Sequence, residues 1–436
     1  MAAHPSEDHR PAFFAISASY FFLFLYYSFF ARFSVLIYTG YGLDGREIGT
    51  MGLLGIAASI PASSFWGVVA DRTGRRKLVL ACCVFLAATC QTLLCLTPKI
   101  ESHMGRFMYC CVITIMYTVA RGNDYGQLKG IAMRTLERFN RPAAFGALRL
   151  WGAVSWGIAH PVLGYLLDVE HGQLKLLFVG NAVAALLAVA CFSLLLRSKW
   201  TDEQAEMEPL QSHAAQTEPT PKASVIEVMK IICSRFDMIA WLLCAATQAM
   251  GMQHVMQFLF LYMEKRFHST DILMGFSVTV TVLFEVPIFA FSERLTPKLG
   301  PTVLIAIAIG SFVVRVFGYT IVPSAAWMLL LEPLHGVTFS CFTLATVHYL
   351  NEHVPMHMIS TAQGFMSSVT AAGSAIGAIL GGWVMDKPNG GVILFRADSV
   401  IMSTVLALFL LSQWKCRKRP ALETHSVSLC ESNDRS

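Results

Sequence analysis

Residues 65–77 read FWGVVADRTGRRK, and the apolar run LVLACCVFLAATC follows directly at 78–90. Asp71, Arg72, Arg75, Arg76 and Lys77 are therefore wedged between two stretches that water solvates poorly. A short charged turn between two greasy segments is what a chain makes where it leaves a bilayer and re-enters it. The composition around the turn agrees. Of 436 residues, 55% are hydrophobic and only 14% charged, with a mean hydropathy of +0.55, whereas soluble domains carry about 25% charged residues. Apolar runs of about 20 residues, each able to cross a hydrocarbon core roughly 30 Å thick, recur along the chain. The expected fold class is an all-α polytopic membrane protein.

Working outward, the spans fall near 12–38, 47–70, 78–97, 106–126, 146–167 and 174–196, then 236–262, 272–292, 301–321, 326–350, 359–384 and 392–414. That makes twelve transmembrane helices. The polar residues 1–11 lead straight into the first run with no small-residue cleavage site, so that run reads as a retained span. Lysine and arginine gather in the loop after the second span, in the loop after the fourth (Lys129, Arg134, Arg138 and Arg141) and beyond 415. The positive-inside rule then puts both termini in the cytoplasm. Residues 198–224, SKWTDEQAEMEPLQSHAAQTEPTPKAS, have no apolar period and read as a disordered linker. The expected organisation is a cytoplasmic N-terminus (1–11), a six-helix bundle (12–196), a linker (197–235), a second six-helix bundle (236–414) and a cytoplasmic tail (415–436). The halves echo each other: WGVVADR (66–72) against FAFSER (289–294), and GYLLD (164–168) against GWVMD (382–386). The twelve cysteines include no CxxC pair and mostly lie within apolar runs, which suits buried inert thiols.

Within the charged turn, Asp71 can pair with neighbouring arginines, while Gly67 and Gly74 permit close packing and a sharp bend. Plain positive-inside anchoring would also explain the cations. The pattern GxxxDRxGRRK at 67–77 is more specific, and it resembles the loop signature of the major facilitator superfamily. The resemblance implies a transporter of two pseudo-symmetric six-helix bundles, with Gly67, Asp71, Arg72, Gly74, Arg75 and Arg76 as a gating latch that does not touch substrate. FGALRLWGAVSW (145–156) resembles a stretch of the lactose-permease-like branch, the oligosaccharide–proton symporters. Glu285, Arg315 and EPLHG (332–336) follow in the order that branch shows.

An ionisable side chain at membrane depth costs on the order of 2.5–3.5 kcal/mol, so each needs a partner or a cavity. Arg32, Arg149, Glu285, Arg315, Glu332 and His335 all stand in apolar surroundings. Glu332 and His335 are three apart and share a helix face, and Arg315 could neutralise Glu332. They form either a structural ion network or a proton-coupling site. The expectation is that Arg149, Glu285, Arg315 and Glu332 face one hollow between the halves.

The resemblance implies that Arg149 grips substrate hydroxyls, Trp156 stacks on a sugar face, and Glu285 helps orient the arginine and the substrate, with Asp124 in the place of a fourth-helix acid. Span seven would add Gln253, His254 and Gln257. The branch's tenth-helix lysine is replaced by Glu332, its proton-carrying glutamate aligns with Thr338, and its seventh-helix aspartates are absent. Proton coupling and facilitative uniport therefore both stay open, with Glu332, His335 and Arg315 as the coupling candidates. Arg32 would favour an anionic substrate. His353 and His357 are expected in solvent.

The reading is a secondary active transporter of a small polar solute, working by alternating access. A sugar-like solute comes first, a nucleoside or organic acid next; a receptor or sensor that keeps the fold without turnover is the other class. No nucleotide-binding loop, metal-ligand cluster or catalytic triad spacing occurs, so neither an enzyme nor a cofactor is expected. The partners are a small-molecule substrate, a proton in the symport reading, and the lipid bilayer, with no nucleic acid.

Overall fold

The computed structural model describes residues 10–141, 144–169, 175–196, 229–230, 232, 234–355 and 358–417. The expected linker lies almost wholly outside these residues, as do residues 1–9, His357 and 418–436. Twelve spans run in order: α1 (Arg10–Ala31, resumed by Ser34–Gly40), α2 (Gly45–Thr73), α3 (Arg76–Leu93), α4 (His103–Arg121, resumed by Asp124–Arg138), α5 (Phe145–Val169) and α6 (Lys175–Leu194), then α7 (Phe236–Phe267), α8 (Asp271–Ala290), α9 (Ser292–Ile321), α10 (Ala325–Met328, resumed by Pro333–His353), α11 (Ile359–Met385) and α12 (Gly390–Arg417). Ten of them contain a stretch long and apolar enough to cross a membrane. The remaining two, α4 and α7, are those that carry Arg106 and Arg121 or Gln248, Gln253, His254 and Gln257 within the span.

Local chemistry sets the ends of the helices. Asp44 opens α2 with a reciprocal cap: its carboxylate accepts the Glu47 N–H at 2.8 Å, and Glu47 accepts the Asp44 N–H at 3.0 Å. Gly74 closes α2 at φ 63°, a left-handed conformation that glycine adopts without steric cost, and donates its N–H to Ala70 O. The structure departs from a continuous fourth span. The helix breaks at Gly122 (φ 56°) and restarts at Asp124. Lys129, Arg134 and Arg138, expected in a loop, therefore stand on a helix.

In the first half, α1 packs on α5 and α6, α3 on α4 and α6, and α2 on α4; in the second, α7 packs on α11 and α12, α9 on α10 and α12, and α8 on α10. The halves meet through α5 against α8 and α2 against α11. Glycines let these backbones approach closely: Gly164 lies against Asp271 O, Gly275 against His160 O, and Gly382 against Gly45 O. Apolar side chains such as Leu194 (80% exposed), Leu283 (67%) and Val400 (66%) point away from the bundles, as a hydrocarbon solvent permits.

At the end where α2 and α8 begin, two carboxylates clasp the halves. Asp386, just after α11, accepts the N–H groups of Gly45 (2.7 Å) and Arg46 (2.9 Å) at the start of α2. Asp168, near the end of α5, accepts those of Asp271 and Ile272 (both 2.9 Å) at the start of α8. These are the aspartates of GWVMD and GYLLD, so the sequence echo is a structural one. At the opposite, basic end, Gly67 of α2 and Gly364 of α11 have nothing within 4 Å of where a side chain would begin. The sequence predicts close packing at Gly67; instead the space beside it is open, while carboxylates tie the halves together at the clasped end.

Candidate functional site

A cavity of about 520 Å³ lies between α1, α2, α3, α4, α5 and α7. Its walls carry aromatic and polar side chains: Tyr27 and Tyr38 from α1, Ser59 from α2, Gln91 from α3, Thr114, Tyr117, Thr118 and Arg121 from α4, Trp156 from α5, and Gln253 and Gln257 from α7. Apolar side chains such as Phe30, Met51, Ile113 and Met256 make up most of the rest of the wall, and a mainly apolar cavity with a few polar groups suits a small-molecule ligand.

Of the residues expected to bind substrate, Trp156, Gln253 and Gln257 line this cavity. Trp156 packs on His160, with ring centroids 4.5 Å apart, and edge-on to Phe24 at 6.2 Å. Gln253 donates to Gln257 Oε1 at 2.8 Å, and Gln257 donates in turn to Ile48 O of α2 at 2.9 Å. This amide chain joins the two halves.

Arg149, Glu285, Asp124 and His254 are not among the lining residues. Arg149 precedes Trp156 by seven residues, about 10 Å along the axis toward the basic end, and lies over the Phe289 ring at 5.8 Å. Glu285 stands half-buried on α8, within the electrostatic reach of Arg149. Asp124 is buried behind Arg121, to which it pairs at 3.4 Å. His254 turns away from the cavity to Asp398 of α12, both of whose carboxylate oxygens lie 2.9 Å from its Nδ1.

Arg315, Glu332 and His335 do come together, deep in the second half, at 0%, 2% and 5% exposure. The partners differ from those expected. Arg315 turns to His335 Nδ1, while Glu332 accepts Tyr319 OH at 2.6 Å and Thr281 Oγ1 at 3.0 Å. None of these ionisable groups lines the cavity, so the expected common hollow for Arg149, Glu285, Arg315 and Glu332 is not what the structure has. The packing encloses Arg315, Glu332 and His335 within the second half, where α10 lies against α8 and α9, and α9 against α10 and α12. Arg32 likewise leaves the cavity, donating to Val255 O of α7 at 3.0 Å.

Two functional candidates escaped the sequence reading. Arg121 lines the cavity, with its guanidinium over the Tyr27 ring at 4.4 Å. Asp398 is 1% exposed in the middle of α12. Both are ionisable residues inside apolar runs, and the cost of burial that singles out Glu332 would have found them. In the turn at 71–77, Asp71 Oδ1 and Arg76 Nη2 pair at 2.5 Å. His353, expected in solvent, is instead half-buried, stacked on Tyr349 with centroids 4.2 Å apart and 3.8 Å from Asp237. No group of three or more potential metal ligands occurs among the described residues.

The profile of the MFS_1-like family matches residues 13–397. The chain belongs to that family. The chain is 23% identical over 411 residues to a maltose permease of Geobacillus stearothermophilus, covering 92% of this chain and 95% of that one. It is 21% identical over 351 residues to the uncharacterized transporter YwbF of Bacillus subtilis, covering 79% of each. The crystal structure of the nucleoside transporter NupG superposes with a TM-score of 0.72 at 15% identity, over 92% of this chain and 98% of that one. A POT family transporter bound to a thioalcohol-conjugated peptide superposes with a TM-score of 0.67 at 12% identity, over 93% and 97%. The MFS_1-like chain is thus a major facilitator transporter: an integral, multi-pass membrane protein with the twelve-helix fold, and not an enzyme.

Proposed function

We propose that this transporter carries a neutral, hydroxyl-rich solute of sugar size, taken up in the cavity between the halves and released by alternating access. One observation carries the reading: the cavity's cation, Arg121, is paired with Asp124, so the site offers hydrogen bonds without net charge. Arg121, Gln253 and Gln257 would supply donors, and Trp156, Tyr27 and Tyr117 apolar faces for a ring. The relationship to a maltose permease points the same way. Arg32, buried elsewhere, gives an anion no purchase in the cavity.

In this reading the clasped end is shut and the basic end gives access. By the positive-inside rule the basic end is cytoplasmic, with both termini beside it. Gly67, Asp71, Arg72, Gly74, Arg75 and Arg76 would act when α2 and α11 close over the cavity. Arg149 and Glu285 would link α5 and α8 outside the cavity. Glu332, His335 and Arg315 lie apart from the solute, which favours either facilitative uniport or coupling through another group.

The test is counterflow in proteoliposomes loaded with maltose, uridine or lactate. Saturable exchange of maltose, reduced at least tenfold in Arg121→Gln, supports the reading. Exchange of lactate but not maltose, or binding with no flux of any of the three, refutes it.

A further inference from the structure

We infer that the buried His254–Asp398 pair is a proton-binding site of this transporter, linked to the cavity through α7. The proposal rests on the transport reading for its purpose but not for its existence.

The geometry of the pair comes first. His254 and Asp398 are 2% and 1% exposed, and both carboxylate oxygens lie 2.9 Å from Nδ1. A carboxylate accepts, so Nδ1 carries a hydrogen and donates it. Nε2 of the neutral ring is then a bare acceptor, and it is buried without a hydrogen-bond partner. A buried polar atom left unsatisfied calls for an explanation. A proton bound there would be an N–H still in need of an acceptor, so the case for protonation rests on the charge of the pair. Neutral imidazole with Asp398 carboxylate carries a charge of −1 in a low-dielectric interior; adding a proton gives imidazolium and carboxylate, whose charges cancel.

The surroundings leave the pair chemically isolated. α11, which covers the ring at Gly381, has no ionisable side chain from Ile359 to Met385. From α9, Arg315 reaches Met252 Sδ at 3.9 Å, and Tyr319 offers only its carbonyl, to Tyr262 OH. From α1, Arg32 reaches Val255 O; on α12 itself, Arg396 donates to Thr320 Oγ1. From α2 the contact is the Ile48 carbonyl, beside Glu47, which caps its own helix. The two arginines bracket His254 along α7, so positive charge stands on either side of a pair that carries −1 while the ring is neutral.

The link to the solute is the helix itself. Gln253 precedes His254, and Gln257 follows it by three residues; both line the cavity, and Gln257 holds α2 of the other half. Opening of the clasped end must break the Gln257–Ile48 bond. A shift of α7 at that point moves His254 relative to Asp398, so protonation and the state of the clasped end bias one another.

The experiment has two arms. Histidine-selective 15N NMR of the full chain in nanodiscs reads the ring without any solute, with the His254 signal assigned by its loss in His254→Gln. Nε2 should gain a proton between about pH 5 and pH 9, with a midpoint displaced by at least one pH unit in Asp398→Asn. An Nε2 that stays bare throughout overturns the proposal. In proteoliposomes, a pH gradient should raise initial maltose uptake several-fold over the equal-pH rate, and Asp398→Asn should bring that ratio to about one. A structural clasp would lower both rates together and keep the ratio, and that result, or a wild-type ratio of one with exchange intact, also overturns it. Failure of maltose to exchange at all would count against the solute reading alone, since the NMR arm still decides the proton site.

Discussion

The carboxylate of Asp386 accepts the backbone N–H of Gly45 at 2.7 Å, across 341 positions of sequence and from the other half of the molecule. Asp168 and Asp271 repeat the arrangement on the pseudo-symmetric side at 2.9 Å. Each aspartate stabilises the unpaired N–H groups at a helix start, where a carboxylate contributes about 1 kcal/mol. Asp386→Ala or Asp168→Ala should therefore shift the population about fivefold toward the state open at the clasped end. The double variant should shift it about twentyfold or more, because the two sites share no partner. Spin-label distances between the α2 and α11 ends would measure this. Unchanged distributions in the double variant would show the clasps to be incidental.

Removal of Arg121 leaves Asp124, 2% exposed, without its counter-charge. Arg121→Ala should lower thermal stability by on the order of 3–5 kcal/mol. Adding Asp124→Asn should restore most of the stability without restoring maltose exchange. Recovery of exchange in the double variant would remove Arg121 from the binding site.

Trp156 offers a ring face to the cavity. Loss of that face in Trp156→Ala should weaken half-saturation for maltose by about tenfold, or about 1.4 kcal/mol, and Trp156→Phe should recover most of it. Equal affinity in all three proteins would make the ring a packing element.

In the Asp71–Arg76 pair the Asp71 side chain is 66% exposed and that of Arg76 16%, so solvent reaches the carboxylate and screens the pair. Exposed pairs contribute roughly 0–1 kcal/mol. Asp71→Asn should leave the melting temperature of this conformation almost unmoved. If the turn is a latch for the opposite conformation, the same variant should slow maximal exchange several-fold. A fall in melting temperature with an unchanged rate would make the pair a local brace.

The burial cluster makes a contrasting forecast. Glu332→Gln keeps an acceptor for Tyr319 OH or Thr281 Oγ1, but it takes a compensating charge from buried Arg315 and should itself cost stability. Arg315→Met, at a fully buried site beside His335, should cost several kcal/mol, since Glu332 would lose a nearby compensating charge. Denaturation of both variants in the same detergent would compare them.

Much of the fold was legible because lipid imposes a coarse rule: spans must be apolar and about twenty residues long. GYLLD and GWVMD gave away the duplication. That their aspartates cap helices of the opposite half was not legible, since a cap depends on where another helix begins. The break in α4 carried a turn signal in Arg121-Gly122-Asn123-Asp124, masked by the apolar residues around it. In the site, residue type was easier to read than direction. Gln253, His254 and Gln257 look alike as polar insertions, yet successive helical residues point about 100° apart. His254 consequently faces α12 while its neighbours face the cavity. Arg149 and Trp156 share a stripe, but about 10 Å of rise separates them.

The break at Gly122 has a consequence for how this protein can diversify. Its left-handed backbone aims Arg121, and Trp66, whose indole donates to Val119 O at 2.7 Å, fills the space where any side chain at 122 would grow. The heading of the guanidinium is thus written into the main chain, out of reach of point changes around it. Drift in solute preference among relatives should accordingly show up in the replaceable wall at Tyr27, Tyr117 and Gln253, with the bend inherited unaltered.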